Sequence, residues 1–194
     1  MKKILYIILA LMVFGQTPVM AQEWQLDPAH SGIMFDVKHI YSVTRGHFSD
    51  FSGSVFFDPD NPGKSKFEFA VKVDSINTGI GKRDNHLRSG DFFAADKYPK
   101  MMFKSSRVTP AGGNKYILEG KMTVKDVTKD MRLKVVFLGE KENPFKKNKM
   151  VAGFETRFKI NRLDFNVGNG KFYEMGVVDK DVEVLISLEV TRDK

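Results

Sequence analysis

The sequence predicts an all-β chain: about eight antiparallel strands closed into a single barrel, with one short helical crossover. Three observations carry this reading. Apolar and charged residues alternate with a period of two along most of the chain, the spacing that sends successive side chains to opposite faces of a strand. Turn-forming clusters separate the alternating runs at hairpin distances, which favours antiparallel pairing. Many of the runs are long, and each has one apolar and one charged face. An open sheet of such strands would expose its edges, and closure removes them. Two packed sheets would satisfy the same pattern.

The chain has 194 residues, 31 Lys and Arg, 24 Asp and Glu, and no cysteine. That length suits one domain, with a core large enough to need no disulfide or structural zinc. The missing cysteines exclude disulfide scaffolds, cysteine metal sites, iron–sulfur clusters and thiol catalysis. Residues 1–21 are expected to be a secretory signal peptide. Lys2 and Lys3 form its positive start, Ile4 to Phe14 its apolar run, and Val19-Met20-Ala21 its cleavage site. The run is shorter than the roughly 20 residues a membrane span requires. An uncleaved anchor is the alternative; no cysteine follows the run to carry a lipid. The mature domain is then residues 22–194, periplasmic or secreted, with 29 basic against 24 acidic residues and 16 of the 17 phenylalanines.

Taken in chain order, the first alternating run places Ile33, Phe35, Val37 and His39 on one face. A less regular strand is expected near Gly53–Asp58, then a loop over Asp58-Pro59-Asp60-Asn61-Pro62-Gly63. Phe67, Phe69, Val71 and Val73 share the next apolar face. Residues 78–99 break the pattern and read as the helical crossover. Ser89-Gly90 is its expected stop, with Gly90 in the left-handed region and Asp91 capping a second short turn before Pro99. A second irregular strand covers Met101–Val108. After the turn at Pro110-Ala111-Gly112-Gly113-Asn114 come Tyr116, Leu118, Met122 and Val124, then Met131, Leu133, Val135 and Phe137. Glu142-Asn143-Pro144 turns the chain into Phe154, Thr156, Phe158 and Ile160, and the last run carries Val182, Val184, Ile186, Leu188 and Val190.

Alternation alone does not say which face is inside; an outer-membrane barrel has the same period and the opposite polarity. Here the aromatics are spread along the strands instead of forming girdles, and the polar face is densely charged, so the apolar face is expected to point inward. The interior of an eight-stranded barrel is either filled by side chains or just wide enough for one ligand. The phenylalanines are thus either core filler or the wall of an apolar cavity.

Reactive chemistry is sparse. His30, His39, His47 and His86 show no metal-ligand spacing, and no GxSxG, P-loop or GxGxxG sequence occurs, so no catalytic residue, metal or cofactor is expected. His39 falls on the inward face, where it could meet a polar head group. Arg83-Asp84-Asn85-His86 is expected to cap and anchor the crossover helix on the barrel rim. The basic cluster of Lys146, Lys147 and Lys149 reads as a solvated loop, and nucleic acid is not an expected partner.

The order of several short motifs resembles the YceI-like family. They are Trp24-Gln25-Leu26-Asp27-Pro28-Ala29-His30-Ser31, Phe35-Asp36-Val37-Lys38-His39, Arg45-Gly46-His47-Phe48, Ser75-Ile76-Asn77-Thr78-Gly79, Arg83-Asp84-Asn85-His86-Leu87, Asp91-Phe92-Phe93, Lys97-Tyr98-Pro99 and Gly120-Lys121-Met122-Thr123-Val124. The resemblance covers nearly all of residues 23–191. It implies an extended, lipocalin-like barrel of eight strands with a helix, exported in bacteria, that binds polyisoprenoid or similar amphiphilic lipids in an elongated channel. It favours a binding protein over an enzyme; a hydrolase or isomerase acting on the same lipid is the alternative. Strand parity then assigns the channel wall to Phe35, Val37, Phe69, Val71, Phe103, Leu118, Phe137, Phe154 and Phe158, with His39, Arg83 and His86 as head-group candidates. Transient membrane contact and a homodimer are left open. The chain departs from the family pattern at Asp126 and Asn166, where glycine is usual; both residue types tolerate a left-handed backbone.

Overall fold

Eleven antiparallel strands form one sheet across residues 23–194, the part of the chain that the computed structural model describes. The expected signal peptide lies outside the described residues. The strands are β1 (Glu23–Leu26), β2 (Gly32–His39), β3 (Ser42–Phe48), β4 (Phe51–Phe56), β5 (Lys66–Lys72), β6 (Ile76–Asn77), β7 (Lys100–Pro110), β8 (Lys115–Val124), β9 (Val127–Glu142), β10 (Lys149–Asn161) and β11 (Val178–Asp193). Two short helices are α1 (Gly81–Arg88) and α2 (Lys171–Glu174).

Eight strands close a ring in the order β1-β4-β5-β7-β8-β9-β10-β11, with β11 returning to β1 through Gln25↔Thr191 and Leu26↔Val190. The remaining three extend the same staves. β1 and β2 both pair with β11, on either side of a turn that Asp27 caps by accepting from the Ala29 amide. β2 pairs with β3, and β3 with β6, so β3 and β6 prolong β4 and β5 beyond two short breaks. The result is a closed barrel of eight long staves, as the alternation predicts. The strands that the alternation does not reveal are β1, β3 and β6.

The apolar faces point inward: Val55 and Val190 are fully buried. Outward residues form cross-strand ion pairs, including Lys104–Glu68 at 2.7 Å, Lys121–Asp130 at 2.9 Å and Arg132–Glu119 at 3.6 Å. Exposed pairs of this kind contribute about 0–1 kcal/mol each, so burial of the inner face dominates stability.

The crossover folds against one end of the barrel. Asp84 is buried and accepts from both the amide and the hydroxyl of Thr78. Arg88 donates to the carbonyls of Asp74 and Ile76, both at 2.8 Å, which pins α1 to β6. Two details of the expected helix stop are corrected. Gly90 is not left-handed; Ala94 takes that conformation, with φ 49°. Asp91 does not cap a turn through its carboxylate, because that group accepts from His86 Nε2 at 2.9 Å.

The β9–β10 ladder runs from Met150↔Glu142 to Thr156↔Val135 and stops. Beyond that point β9 pairs only with β8, and β10 only with β11, so the wall parts along a seam. The turn Arg162–Phe165 closes over it, tied to β9 by Lys129–Asp164 at 3.1 Å. Asn166 ends that turn in the left-handed region, as expected, but at the β8–β9 turn it is Lys125, not Asp126, that has positive φ. The two departures from the family pattern touch each other, Asn166 Nδ2 donating to Asp126 Oδ1 at 3.4 Å. The Asp126 amide first, and that contact second, hold the Asp126 carboxyl below its ordinary pKa.

Candidate functional site

The barrel is not filled. An apolar cavity of about 220 Å³ runs through it, lined by ten of the phenylalanines together with Val, Ile, Leu and Met from nearly every stave. Along β11 the lining residues include Val182, Val184, Ile186 and Leu188, a length of roughly 20 Å at the usual rise per strand residue. Apolar cavities of about 150 Å³ stay dry and admit apolar guests. A larger one with this lining repels water and favours a hydrocarbon chain.

Eight of the nine wall residues assigned by parity line this space: Phe35, Val37, Phe69, Val71, Phe103, Leu118, Phe154 and Phe158. Phe137 does not. Its ring lies 4.9 Å from Phe57 and 5.3 Å from Phe154, in an aromatic cluster that includes Phe67 and Tyr116. That cluster closes one end of the cavity, and Phe137 supports it from behind.

At the other end the lining comes from the crossover and the 162–167 turn: Leu87, Phe92, Phe93, Phe165 and Val167. Phe172 of α2 stacks on Phe92 at 5.9 Å. None of the three head-group candidates lines the cavity. His39 lies one step beyond Val37 at the β2–β3 turn, its carbonyl accepting from Ser42. Arg83 spends its Nε and Nη2 on the hydroxyl and carbonyl of Thr78, both at 2.7 Å. His86 is held by Asp91 and sits edge-on to Phe92 and Phe172. Arg83 and His86 thus brace the crossover internally, while Arg88 ties it to the sheet.

Sequence reasoning missed the buried polar group of this cavity. Arg162 is 6% exposed and belongs to the lining. Its Nε donates to the Asp179 carbonyl at 2.8 Å, Nη1 to Val167 at 2.7 Å and Nη2 to Val178 at 3.2 Å. Burial pushes its pKa below the ordinary arginine value, partly offset by the Asp179 charge, yet an arginine stays protonated in proteins. Thr156, the other buried polar residue of the lining, uses its hydroxyl on the Lys134 carbonyl. In the sequence, the signal for Arg162 was its place in Arg162-Leu163-Asp164-Phe165 with Gly168 nearby. Arginine in a turn otherwise reads as solvated.

Away from the cavity, His30 Nδ1 lies 3.1 Å from Asp27 and 3.8 Å from Glu189. These three residues offer ligand atoms within 4.8 Å of one another. Sequence spacing could not show this, because Glu189 comes from β11. The His30 hydrogen bond is the main reason that Asp27 has a lowered pKa.

Comparison with known proteins agrees with this architecture. The model of the YceI-like domain matches residues 24–190. The chain belongs to the YceI-like family. It is 34% identical over 186 residues to a UPF0312 protein of Photorhabdus laumondii, covering 94% of this chain and 93% of that one. Among solved structures it is similar to BcnA of Burkholderia cenocepacia, with a TM-score of 0.76 and 29% identity over 84% of this chain and 98% of BcnA. A polyisoprenoid binding domain from Saccharophagus degradans, implicated in plant cell wall breakdown, shares the fold at a TM-score of 0.63. Its identity is 15%, over 86% of this chain and 97% of that domain.

Proposed function

We propose that this YceI-like protein is an exported carrier or store that holds a polyisoprenoid or similar long-chain lipid inside its barrel. The observation that carries the reading is the elongated cavity walled by ten phenylalanines. Each methylene moved from water into such a wall contributes about 0.8 kcal/mol. Ten carbons contribute about 8 kcal/mol, within the association cost on the order of 4–15 kcal/mol, and about twenty exceed its upper end, so a long chain gains most. The Saccharophagus domain, described as binding polyisoprenoid, supports the same ligand class through the shared fold. Family and fold favour a binding protein over a lipid-modifying enzyme.

The reading is tested by expressing the full chain in a bacterium, recovering the periplasmic fraction and analysing the purified protein by native mass spectrometry with lipid extraction. A mature chain starting at Gln22 and an extractable long-chain lipid are expected. Protein that stays in the cytoplasm would overturn export. Protein that refuses every isoprenoid and fatty acyl probe would overturn lipid carriage.

A further inference from the structure

We infer that the end of the barrel bearing the β2–β3 turn and α2 docks on a lipid bilayer, with Ile40 and Tyr41 as its anchors. The inference rests on the lipid-carrier reading and adds the surface from which the carrier loads. Ten large apolar residues are exposed among the described residues. Five of them fall on two neighbouring segments: Ile40, Tyr41 and Val43 at the turn, Tyr173 and Met175 on α2 and its C-cap. The Ile40 amide donates to the Val177 carbonyl at 3.0 Å, which brings the segments together. The other five, Met34, Ile80, Met102, Leu138 and Phe145, lie singly on separate segments. Single exposed apolar residues are ordinary, whereas a cluster marks an interaction surface.

The cluster sits where the channel lining ends. Val37 and Val178 line the cavity, and Val178 pairs with His39, the residue before the turn. Phe172 of α2 stacks on Phe92, another lining residue. The turn is also built against its own backbone preference. Only Ile40 and Tyr41 lie between the paired residues His39 and Ser42. Ile40 has φ 50°, in the left-handed region, where a two-residue hairpin takes glycine. A β-branched residue is strained there, and such strain concentrates at functional positions. Stability alone would place glycine and asparagine at this tip; the chain instead holds out isoleucine and a fully exposed tyrosine.

Charge favours the same occupant. Lys38 lies opposite Val43, Lys171 opens α2, and Lys180 Nζ is 5.2 Å from the Tyr173 ring centre. Glu174 and Asp181 are the acids of these segments besides Asp179, whose charge acts on buried Arg162. Apolar side chains, tyrosines and a small positive excess match the boundary between acyl chains and anionic head groups. A protruding turn also suits a fluid surface, which needs no complementary shape.

The test is flotation with vesicles of phosphatidylcholine containing a minor share of phosphatidylglycerol. It is paired with uptake of a fluorescent acyl lipid, supplied either in those vesicles or free in solution. The wild-type protein is expected to float with the vesicles. The double variant Ile40→Gly with Tyr41→Asn suits the turn backbone and should fold at least as well. Its vesicle binding and its uptake from vesicles are expected to fall about tenfold, the loss of one buried large side chain. Its affinity for the free probe is expected to stay within about twofold of wild type. Phe145→Asn, in the β9–β10 turn at the opposite end of β11, is expected to change neither. A wild type that takes up the free probe but does not float would overturn docking and leave lipid carriage standing. Undiminished flotation of the double variant, or a loss confined to Phe145→Asn, would overturn it too. A wild-type dimer that the double variant dissociates, with neither floating, would assign the face to a second copy and overturn the inference. Protein that floats yet refuses the free probe would overturn lipid carriage and keep the docking face.

Discussion

Removing one ring from the closed end of the channel separates wall from support. Phe154 is 2% exposed and packs against Phe57, Phe67 and Phe137 at centroid distances of 5.1, 5.5 and 5.3 Å. Phe154→Ala should cost about 3–5 kcal/mol from lost burial and the void left behind. For a domain of this size, each kcal/mol shifts Tm by roughly 2–4 °C, so about 4 kcal/mol lowers it by about 12 °C. Because Phe154 also lines the cavity, the new void opens into the channel, where a lipid tail can fill it. Phe137 is half-buried and does not line the cavity, so Phe137→Ala should open no new space to the ligand. The assay is thermal unfolding by circular dichroism, with and without a saturating long-chain lipid. A ligand at one hundred times its Kd adds about 2.7 kcal/mol to a protein that binds it unchanged. The Phe154 variant should gain more than the wild type does, and the Phe137 variant no more. A loss under about 1 kcal/mol for Phe154→Ala, or equal ligand gains in both variants, would refute the placement of these rings.

Three further outcomes follow from local geometry. A Cβ at Gly46 would lie 2.3 Å from the tip of the Phe35 ring, so Gly46→Ala should push that ring into the channel. Lipid affinity is expected to fall severalfold in titration calorimetry while urea unfolding shifts little. A Cβ at Gly120 would instead meet backbone, the Lys104 carbonyl at 2.5 Å and Ser105 Cα at 2.8 Å. Gly120→Ala should therefore lower the unfolding free energy by about 1–3 kcal/mol, since a strand cannot yield as a ring can. Asp27→Ala removes a cap on the Ala29 amide and should cost about 1 kcal/mol at neutral pH by urea titration. The folded Asp27 has a pKa below its usual 3.8, so its charge stabilises the fold above that value. The wild-type advantage should shrink as pH falls below about 4, through the folded value.

Alternation reveals most of the barrel because burial on one face imposes a period of two, and eight of the wall residues follow from parity alone. β3 escapes because Ser42-Val43-Thr44-Arg45-Gly46-His47 lacks an apolar stripe, and Val43 itself is exposed. β1 and β6 are too short to show a period. Phe137 has the right parity but the wrong depth, and depth along a barrel depends on how staves are staggered, which no single strand encodes. Arg162 is invisible for a different reason. Its partners Val167, Val178 and Asp179 lie 5, 16 and 17 positions further along the chain and show no spacing pattern, and charge in a turn normally means solvent.

The ring closes through Gln25↔Thr191, a pairing between residues 166 positions apart. β11 is also the strand that contacts β10, β1 and β2 at once. Until it is in place, β10 and β1 present open edges and the phenylalanine wall faces water. Closure of the barrel therefore depends on contacts between the two ends of the domain, and contacts of such long range in sequence slow folding. A nascent chain lacking residues 178–193 has no complete barrel to collapse into and remains a substrate for chaperones.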